Sequence, residues 1–234
     1  MSEDERDYRA DYVAVHQRNY ERISRGEREG WSSTDDVESA LVYVDLALKL
    51  PEAPQSGRLL ELGSGDGCMT VPLAQRYPQF ALSGVDIVPL AVELARARAG
   101  KAGVRVDFRE GSVLEAPWED GYFDVLVDGH CLHCIVLDDR RRFFREAWRL
   151  LRPGGLLLID TMAGDPPAGM VGVFDPETRA HHIDGVAGRT YAPVDRILEE
   201  IASGGFRVLT YHVEFRHGQN EADSLISAAL KPAP

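Results

Sequence analysis

The feature that most constrains the fold is a strand-like run that breaks into three alternating glycines. Residues Leu59–Leu62 form the run, and Gly63, Gly65 and Gly67 follow before a helical pattern begins. Glycine adopts backbone dihedrals that a Cβ forbids and lets a ligand approach the main chain closely. The helix after the loop presents unpaired N–H groups at its first turn. This order of strand, loop and helix predicts a ligand-binding turn in an α/β fold.

The chain beyond this loop continues to alternate short β-rich runs with longer helical patterns, which is typical of an α/β fold with a largely parallel sheet. We predict strands near 58–63, 80–86, 104–110, 123–128 and 155–161, and helices near 69–77, 90–99 and 138–151. The Arg-Pro-Gly-Gly stretch at 152–155 predicts a helix stop and a turn before the fifth strand.

The last part of the chain predicts one more helix and a hairpin. Apolar residues on one face favour a helix over 194–203. Two strand-like runs, 206–215 and 224–230, are joined by a polar turn at 217–220. We therefore expect an antiparallel pair at the edge of the sheet.

A length of 234 residues suits a single domain. We divide it into an N-terminal helical cap over 1–50, a linker at 51–57, a core over 58–161, a Gly/Pro-rich irregular insertion over 162–192, and a C-terminal helix with a β-hairpin over 193–234. Within the cap, residues 1–30 predict a mobile amphipathic helix that acts as a lid. Ser33, Thr34 and Asp35 predict the start of a second helix, over 34–50.

The charge and composition of the chain limit the classes of partner that we expect it to bind. The 38 acidic and 26 basic residues give a formal net charge of -12, which repels phosphate backbones, so we expect no nucleic-acid partner. A small molecule, including a cationic one, is favoured instead. No apolar run approaches the ~20 residues of a membrane span, and no export signal is evident, so we expect a cytoplasmic protein without a membrane partner. The three cysteines form no framework, so disulfides are not expected.

The form E-x-G-x-G-x-G at 61–67 resembles the first motif of class I S-adenosylmethionine-dependent methyltransferases. A dinucleotide fold would prefer G-x-G-x-x-G, and here the sixth position is Cys68. Asp86 ends the second strand, about 20 residues after the loop, where a carboxylate can accept hydrogen bonds from a ribose diol. The turn 111–113, the strand 123–128 and the turn 150–155 are similar to later parts of the family pattern, so the resemblance spans roughly 58–161.

The resemblance implies a Rossmann-like, seven-stranded, mostly parallel sheet of order 3-2-1-4-5-7-6 with one antiparallel strand and helices on both faces. S-adenosylmethionine would lie across the carboxyl ends of strands 1 and 2, and S-adenosylhomocysteine would be the product. Ser112 stands where the family often has Asp, so backbone groups of Ser112 and Val113 are the alternative adenine contacts. The implied cofactor residues are Glu61, Gly63, Ser64, Gly65, Asp66, Gly67, Asp86, Ile87, Gly111, Ser112, Val113 and Asp128.

The cofactor's methyl group would then face the end of strand 4, where the loop Asp128–Cys134 carries reactive side chains. Methyl transfer from a sulfonium is an in-line displacement, so the enzyme must align the nucleophile and, where needed, remove its proton. A histidine suits that task because its ordinary pKa is near 6.5. We expect His130 or His133 to be the general base, with Asp128 orienting an imidazole or binding the methionine portion of the cofactor.

Several other side chains are candidates for the lining of a substrate pocket. The insertion lies on the substrate side of the family fold, so its residues line either that pocket or a surface loop. Tyr12, Tyr20 and Trp31 either cover the cofactor or pack on the sheet. The candidate pocket residues of the insertion are Met162, Met170, Phe174, His181, His182 and Tyr191.

Three alternatives stay open. A metal-assisted methyltransferase would use ligands from Asp128, His130, His133 and Cys134, but their spacing is not decisive and a metal is not expected. A nicotinamide-dependent oxidoreductase shares the strand, glycine and acid pattern, although Cys68 and the lack of a Tyr-x-x-x-Lys pair argue against it. A binding protein that keeps the cleft without turnover is the third. The acceptor atom stays open, and we expect a monomer or homodimer.

Overall fold

The computed structural model describes residues 9–30, 32–215 and 222–233. Its helices are α1 (Arg9–Ser24), α2 (Thr34–Ala47), α3 (Thr70–Arg76), α4 (Pro89–Ala102), α5 (Asp139–Leu150) and α6 (Val194–Ser203). Its strands are β1 (Gly57–Leu62), β2 (Phe80–Asp86), β3 (Asp107–Glu110), β4 (Phe123–Gly129), β5 (Leu151–Ala163), β6 (Val173–Phe174), β7 (Ala180–Ile183), β8 (Val186–Thr190), β9 (Arg207–Glu214) and β10 (Asp223–Leu230).

The main sheet has seven strands in the order β3-β2-β1-β4-β5-β10-β9. Strand β1 pairs in parallel with β2 and β4, whereas β10 is antiparallel to both β5 and β9. Counting only the strands of this sheet, the order is 3-2-1-4-5-7-6 with one antiparallel strand, so the predicted fold is confirmed. The turn expected at 217–220 and Trp31 lie outside the described residues. The carboxyl ends of β1, β2 and β4 meet where the order reverses, which is where such sheets bind ligands.

The central strands are buried on both faces, as parallel strands between helical layers are. Successive side chains of β4 point to opposite faces. Leu126 joins the core formed with α5 and α6, and Val125 and Val127 join the core formed with α2 and α3. The two cores hold the strand ends, and the loops that leave them, in fixed positions.

The Arg-Pro-Gly-Gly stretch differs from the prediction. It lies inside β5, which begins at Leu151, rather than forming a turn before the strand. Gly154 takes a left-handed φ of +75°, and the register between β4 and β5 shifts near Phe123. The ladder continues because Gly154 N donates to Lys231 O at 2.8 Å and Lys231 N donates to Gly155 O at 2.9 Å. Pairing with the last strand therefore absorbs the turn residues as a bulge.

The insertion is also more regular than predicted. Strands β6, β7 and β8 form a three-stranded antiparallel sheet within it. Asp184 and Gly185 link β7 to β8, with φ values of +53° and +80°. An Asp-Gly pair with both residues at positive φ is a strong two-residue hairpin signal. The sequence contained this signal, and our prediction of an irregular segment overlooked it.

The N-terminal helices lie against the core. Helix α2 begins with a capping box between Ser33 and Asp36 and ends at Ala47, three residues before the predicted end. The Tyr12 hydroxyl on α1 donates to Asp139 Oδ2 at 3.1 Å and accepts from Val136 N at 3.2 Å. These bonds tie α1 across the carboxyl edge of the sheet. Within the described residues, every helix is too short or too polar to cross a bilayer.

Candidate active site

A cavity of about 590 Å³ opens at the carboxyl ends of β1, β2 and β4, beneath α1. Its walls come from the glycine loop, the end of β2, the turn after β3, the loop after β4, the insertion, and residues of α1 and α2. A cavity of this size accommodates small ligands. One end lies at the glycine loop and the other lies against the insertion.

The glycine loop needs its glycines for backbone shape and for space. Gly63, Gly65 and Gly67 have φ values of +70°, +54° and +75°. Only glycine adopts such values without strain. A Cβ on Gly63 would lie 2.8 Å from both Cβ and Sγ of Cys131, and one on Gly65 would lie 3.1 Å from the Tyr20 hydroxyl. The loop is therefore a cradle that added side-chain atoms would fill.

Asp86 lies directly beside this loop. Its Oδ2 accepts from Gly65 N and its Oδ1 accepts from Val88 N, both at 2.9 Å. Tyr20 of α1 also hydrogen-bonds to the carboxylate. Burial nevertheless raises the pKa of Asp86 to about 6, because a low-dielectric environment disfavours the charged form. Asp86 thus places a carboxylate at the rim of the cradle.

Two further buried carboxyls, Glu61 and Asp128, lie near the carboxyl ends of the neighbouring strands β1 and β4. Burial raises the pKa of Glu61 to about 8 and that of Asp128 to about 7. The Thr70 hydroxyl donates to Glu61. Asp128 Oδ1 accepts from Cys131 N at 3.0 Å and from Leu132 N at 2.8 Å, and its Oδ2 has no partner among the described residues. These two hydrogen bonds hold the loop after β4, and Asp128 itself lies outside the cavity lining.

The other residues of the predicted cofactor set divide by position. Ser64, Ile87, Ser112 and Val113 line the cavity, whereas Asp66, Gly67 and Gly111 lie outside its lining. Asp66 is ion-paired with Arg98, and a Cβ on Gly67 would lie 3.2 Å from Ala95. Asp66 and Gly67 therefore support the loop from behind.

The two candidate histidines share the middle of the cavity. Their ring centroids lie 5.6 Å apart in an edge-to-face arrangement. His130 has a left-handed φ of +65°, and its Nε2 lies 3.4 Å from Asp160 Oδ2. His133 is only 3% exposed, and its Nδ1 has no partner among the described residues. Burial holds the pKa of His133 well below its ordinary value, so this ring is neutral near pH 7.

Comparisons with known proteins match the core of this chain to methyltransferases. A family model described as a methyltransferase domain matches residues 60–159. The chain is 28% identical over 204 residues to the demethylmenaquinone methyltransferase of Deinococcus radiodurans, covering 79% of this chain and 77% of that enzyme. It is 34% identical over 151 residues to the demethylmenaquinone methyltransferase of Roseiflexus castenholzii, covering 64% of this chain and 59% of that enzyme.

A solved structure shows the same fold. It is the 1,6-didemethyltoxoflavin-N1-methyltransferase of Burkholderia thailandensis with S-adenosylhomocysteine bound. The TM-score is 0.72 at 19% identity, with 99% of this chain and 93% of that chain covered. The domain match and the methyltransferase relatives support an S-adenosylmethionine-dependent methyltransferase, and the solved structure shows the class I fold. The alternative of a nicotinamide-dependent oxidoreductase is not supported.

The three cysteines of this methyltransferase are protonated thiols near pH 7. Burial raises the pKa of Cys68 to about 12 and that of Cys134 to about 11, and holds that of Cys131 well above its ordinary value. A thiol in such surroundings is a weak nucleophile. Across 9–30, 32–215 and 222–233, no group of three or more His, Cys, Asp or Glu side chains is arranged to hold a metal ion.

The far end of the methyltransferase cavity contains predicted and unpredicted residues. Met162, Met170, His181 and Tyr191 line it, whereas Phe174 and His182 lie outside the cavity, and Tyr12 and Tyr20 line the cavity from α1. The lining residues that were not predicted from the sequence include His16, Asp160 and Arg189.

Two of these omissions had a signal in the sequence. Asp160 is an acid near the carboxyl end of a strand, the same signal that marked Asp86. His16 lies four residues from both Tyr12 and Tyr20, and therefore on the same face of α1. Arg189 had no signal, because its position depends on the hairpin of the insertion.

Proposed function

We propose that this methyltransferase moves the methyl group of S-adenosylmethionine to a small-molecule acceptor inside the 590 Å³ cavity. The observation that carries the proposal is the contact between Asp86 and Gly65 N, which joins a buried carboxylate to a cradle of left-handed glycines. The cofactor supplies an electrophilic methyl group on a sulfonium. The chain's own residues bind it, orient the acceptor and manage the proton.

The residues around the cradle suit the parts of the cofactor. Asp86 offers carboxylate oxygens to the ribose hydroxyls, and the main chain at Gly63 and Gly65 permits close approach. The backbone of Ser112 and Val113 is the proposed adenine contact. The Ser112 hydroxyl is less suited, because it accepts from Leu114 N at 3.1 Å.

The positive charge of the cofactor also suits two buried carboxyls of the site. Glu61 and Asp128 are buried carboxyls with raised pKa values, so a nearby positive charge would stabilise their ionised forms. The sulfonium and the ammonium of the methionine portion are both positive. We propose that these two carboxyls favour the cationic half of the cofactor by their charge.

His130 is the proposed general base, with Asp160 as its positioning residue. The 3.4 Å contact between His130 Nε2 and Asp160 Oδ2 fixes the ring and stabilises the imidazolium formed when it takes a proton. Protonation of His133 is strongly disfavoured, because its ring is almost completely buried. We assign it the role of a neutral hydrogen-bond partner.

A binding experiment tests the cofactor assignment. The protein is titrated calorimetrically with S-adenosylhomocysteine and separately with NADH. We expect binding of the first alone and a loss of at least about tenfold in Asp86→Ala, on the scale of hydrogen bonds to a charged group. Binding of NADH without S-adenosylhomocysteine would overturn the proposal.

A metabolite screen with labelled donor, on metal-free and metal-supplemented protein, then identifies acceptors and any metal requirement. With an acceptor in hand, we expect His130→Asn to lower kcat by roughly 100-fold, as loss of a general base does. Asp160→Asn should change kcat and its pH profile by less. Full turnover in His130→Asn would show that the base lies elsewhere.

A further inference from the structure

Arg189 is a cation in the cavity wall without a carboxylate partner among the described residues. It lies on β8 and is half-buried. Its one side-chain hydrogen bond in this part of the chain runs from Nη1 to Met162 Sδ at 3.5 Å, which is a weak contact. By contrast, Arg140 pairs with Glu200 at 2.6 Å and Arg179 pairs with Asp165 at 2.7 Å. An arginine in a cavity that faces a thioether has unused donors.

The surroundings of Arg189 do not neutralise its charge. His16, His133 and His181 line the same cavity. Burial, together with the charge of Arg189, lowers the pKa of each, to about 4 for His16. These imidazoles are therefore neutral near pH 7. They offer hydrogen bonds but no compensating charge.

The acids of this cavity have other positions or partners. Asp160 is held by His130, and Asp86 lies at the glycine loop. Glu214 and Asp36 also line the cavity, and each has interactions of its own. No ion pair joins any of these carboxylates to Arg189 within the described residues. A guanidinium in this setting can bind an oxyanion with two parallel hydrogen bonds.

The position of Arg189 places it at the acceptor end. Strand β8 is tied to the loop after β4 because the Thr190 hydroxyl donates to Ile135 O at 3.0 Å. Arg189 precedes Thr190 on this strand of the insertion, and it lies close enough to His133 and Cys134 for its charge to act on the pKa of both in the lowering direction, second to burial. Met162, Met170 and Tyr191 add an apolar wall around it. This is a pocket for an anionic head on an apolar body.

We propose that Arg189 binds an oxyanion of the methyl acceptor, so that this enzyme acts on small acids that carry a carboxylate or phosphate. The inference rests on the proposed function, since it assigns the substrate class of the same cavity. It reverses the expectation from the net charge of -12, under which a cationic acceptor was an option. The local charge at the acceptor end opposes the charge of the whole chain.

The first step of the test separates the two proposals. S-adenosylhomocysteine is titrated into the native protein, Arg189→Met and Arg105→Met. Arg105 is exposed and outside the cavity, so its variant is the control for the loss of one positive charge. We expect equal cofactor affinity in all three. Failure of the native protein to bind S-adenosylhomocysteine would count against the proposed function. The role of Arg189 would still be tested by the second step, which also measures probe binding without S-adenosylhomocysteine.

The second step uses probes that share a 4-hydroxyphenyl group and carry an anionic, neutral or cationic substituent: 4-hydroxybenzoate, 4-hydroxyphenyl phosphate, 4-hydroxybenzamide and 4-hydroxybenzylamine, each added to protein with and without S-adenosylhomocysteine. We expect at least one acid to bind about tenfold more tightly than the amide and amine, with the gain lost in Arg189→Met and kept in Arg105→Met. Comparison of the carboxylate probe with the phosphate probe shows which of the two oxyanions binds more tightly. Equal binding of acid and amide, no binding of either acid, or an acid preference that survives Arg189→Met would overturn the inference.

Discussion

The two ends of the cavity have opposite electrostatic character. At the glycine loop, Glu61 and Asp86 are buried carboxyls whose pKa values burial raises. At the insertion, Arg189 faces neutral imidazoles. One end is suited to a cation and the other to an anion. The difference shows that net charge does not describe a cavity whose walls come from different parts of the chain.

The two ends also differ in how they are supported. At the glycine-loop end, Asp86 accepts hydrogen bonds from the nearby N–H groups of Gly65 and Val88, and Glu61 accepts one from the Thr70 hydroxyl. The acceptor end depends on contacts between distant segments, such as Tyr12 with Asp139 and Thr190 with Ile135. Changes at the first end should therefore affect cofactor binding most, and changes at the second should leave it intact.

The largest expected effect comes from Gly63→Ala. The new Cβ would need a left-handed backbone and would lie 2.8 Å from Cys131. Left-handed strain costs about 1–2 kcal/mol, and overpacking costs about 1–3 kcal/mol more. We expect a loss of about 3 kcal/mol in unfolding free energy by denaturant titration, together with a loss of S-adenosylhomocysteine binding.

Gly103→Ala is the matched control for this change. Gly103 ends α4 with a φ of +69°, and nothing lies within 4 Å of its added Cβ. This variant should lose only the strain energy, about 1–2 kcal/mol, and bind the cofactor normally. Equal stability and equal affinity in the two variants would contradict the view that Cys131 packs tightly against the loop.

The two ends of the cavity also differ in how well they could be predicted from the sequence. The glycine loop and the acid at the end of β2 follow from local patterns, whereas the strand order came from the family resemblance, and the structure has all of them. The bulge at Gly154 was missed because it depends on pairing with Lys231, 77 residues later. Arg189 was missed for the same reason, since only the folded insertion brings it to His133.

A smaller effect concerns the stability of the cofactor end as a function of pH. Burial raises the pKa of Glu61 from 4.5 to about 8. The stabilising contribution of a raised pKa is complete below pH 4.5 and is lost as the pH rises through 8. A glutamine at this position cannot ionise and so does not lose this contribution. We therefore expect the Tm of Glu61→Gln minus that of the native protein to increase between pH 5 and pH 9. Each unit of pKa separation corresponds to about 1.4 kcal/mol.

Thermal unfolding at four pH values measures this difference, and Glu93→Gln is its control. Glu93 is exposed on α4, so the same substitution there should shift Tm by an amount that does not change with pH. A Tm gap for Glu61→Gln that shrinks or stays constant from pH 5 to pH 9 would show that Glu61 is ionised in the folded protein throughout.

The smallest expected effect concerns Tyr20, which links α1 to the cofactor end. An ionised carboxylate has about four acceptor positions, and three on Asp86 are used by Gly65 N, Val88 N and Tyr20. A ribose diol needs two, so the Tyr20 hydroxyl must leave when both ribose hydroxyls bind. Tyr20→Phe should therefore bind S-adenosylhomocysteine about twofold to tenfold more tightly, the scale of one hydrogen bond.

Tyr12→Phe on the same helix separates this competition from a general loosening of α1. The Tyr12 hydroxyl contacts Asp139 and Val136 instead of Asp86, so its removal should lower Tm without tightening the cofactor. Calorimetric titration of both variants decides between the two effects. Weaker cofactor binding in Tyr20→Phe would mean that the hydroxyl contacts the bound cofactor and that α1 closes the cavity as part of the binding site.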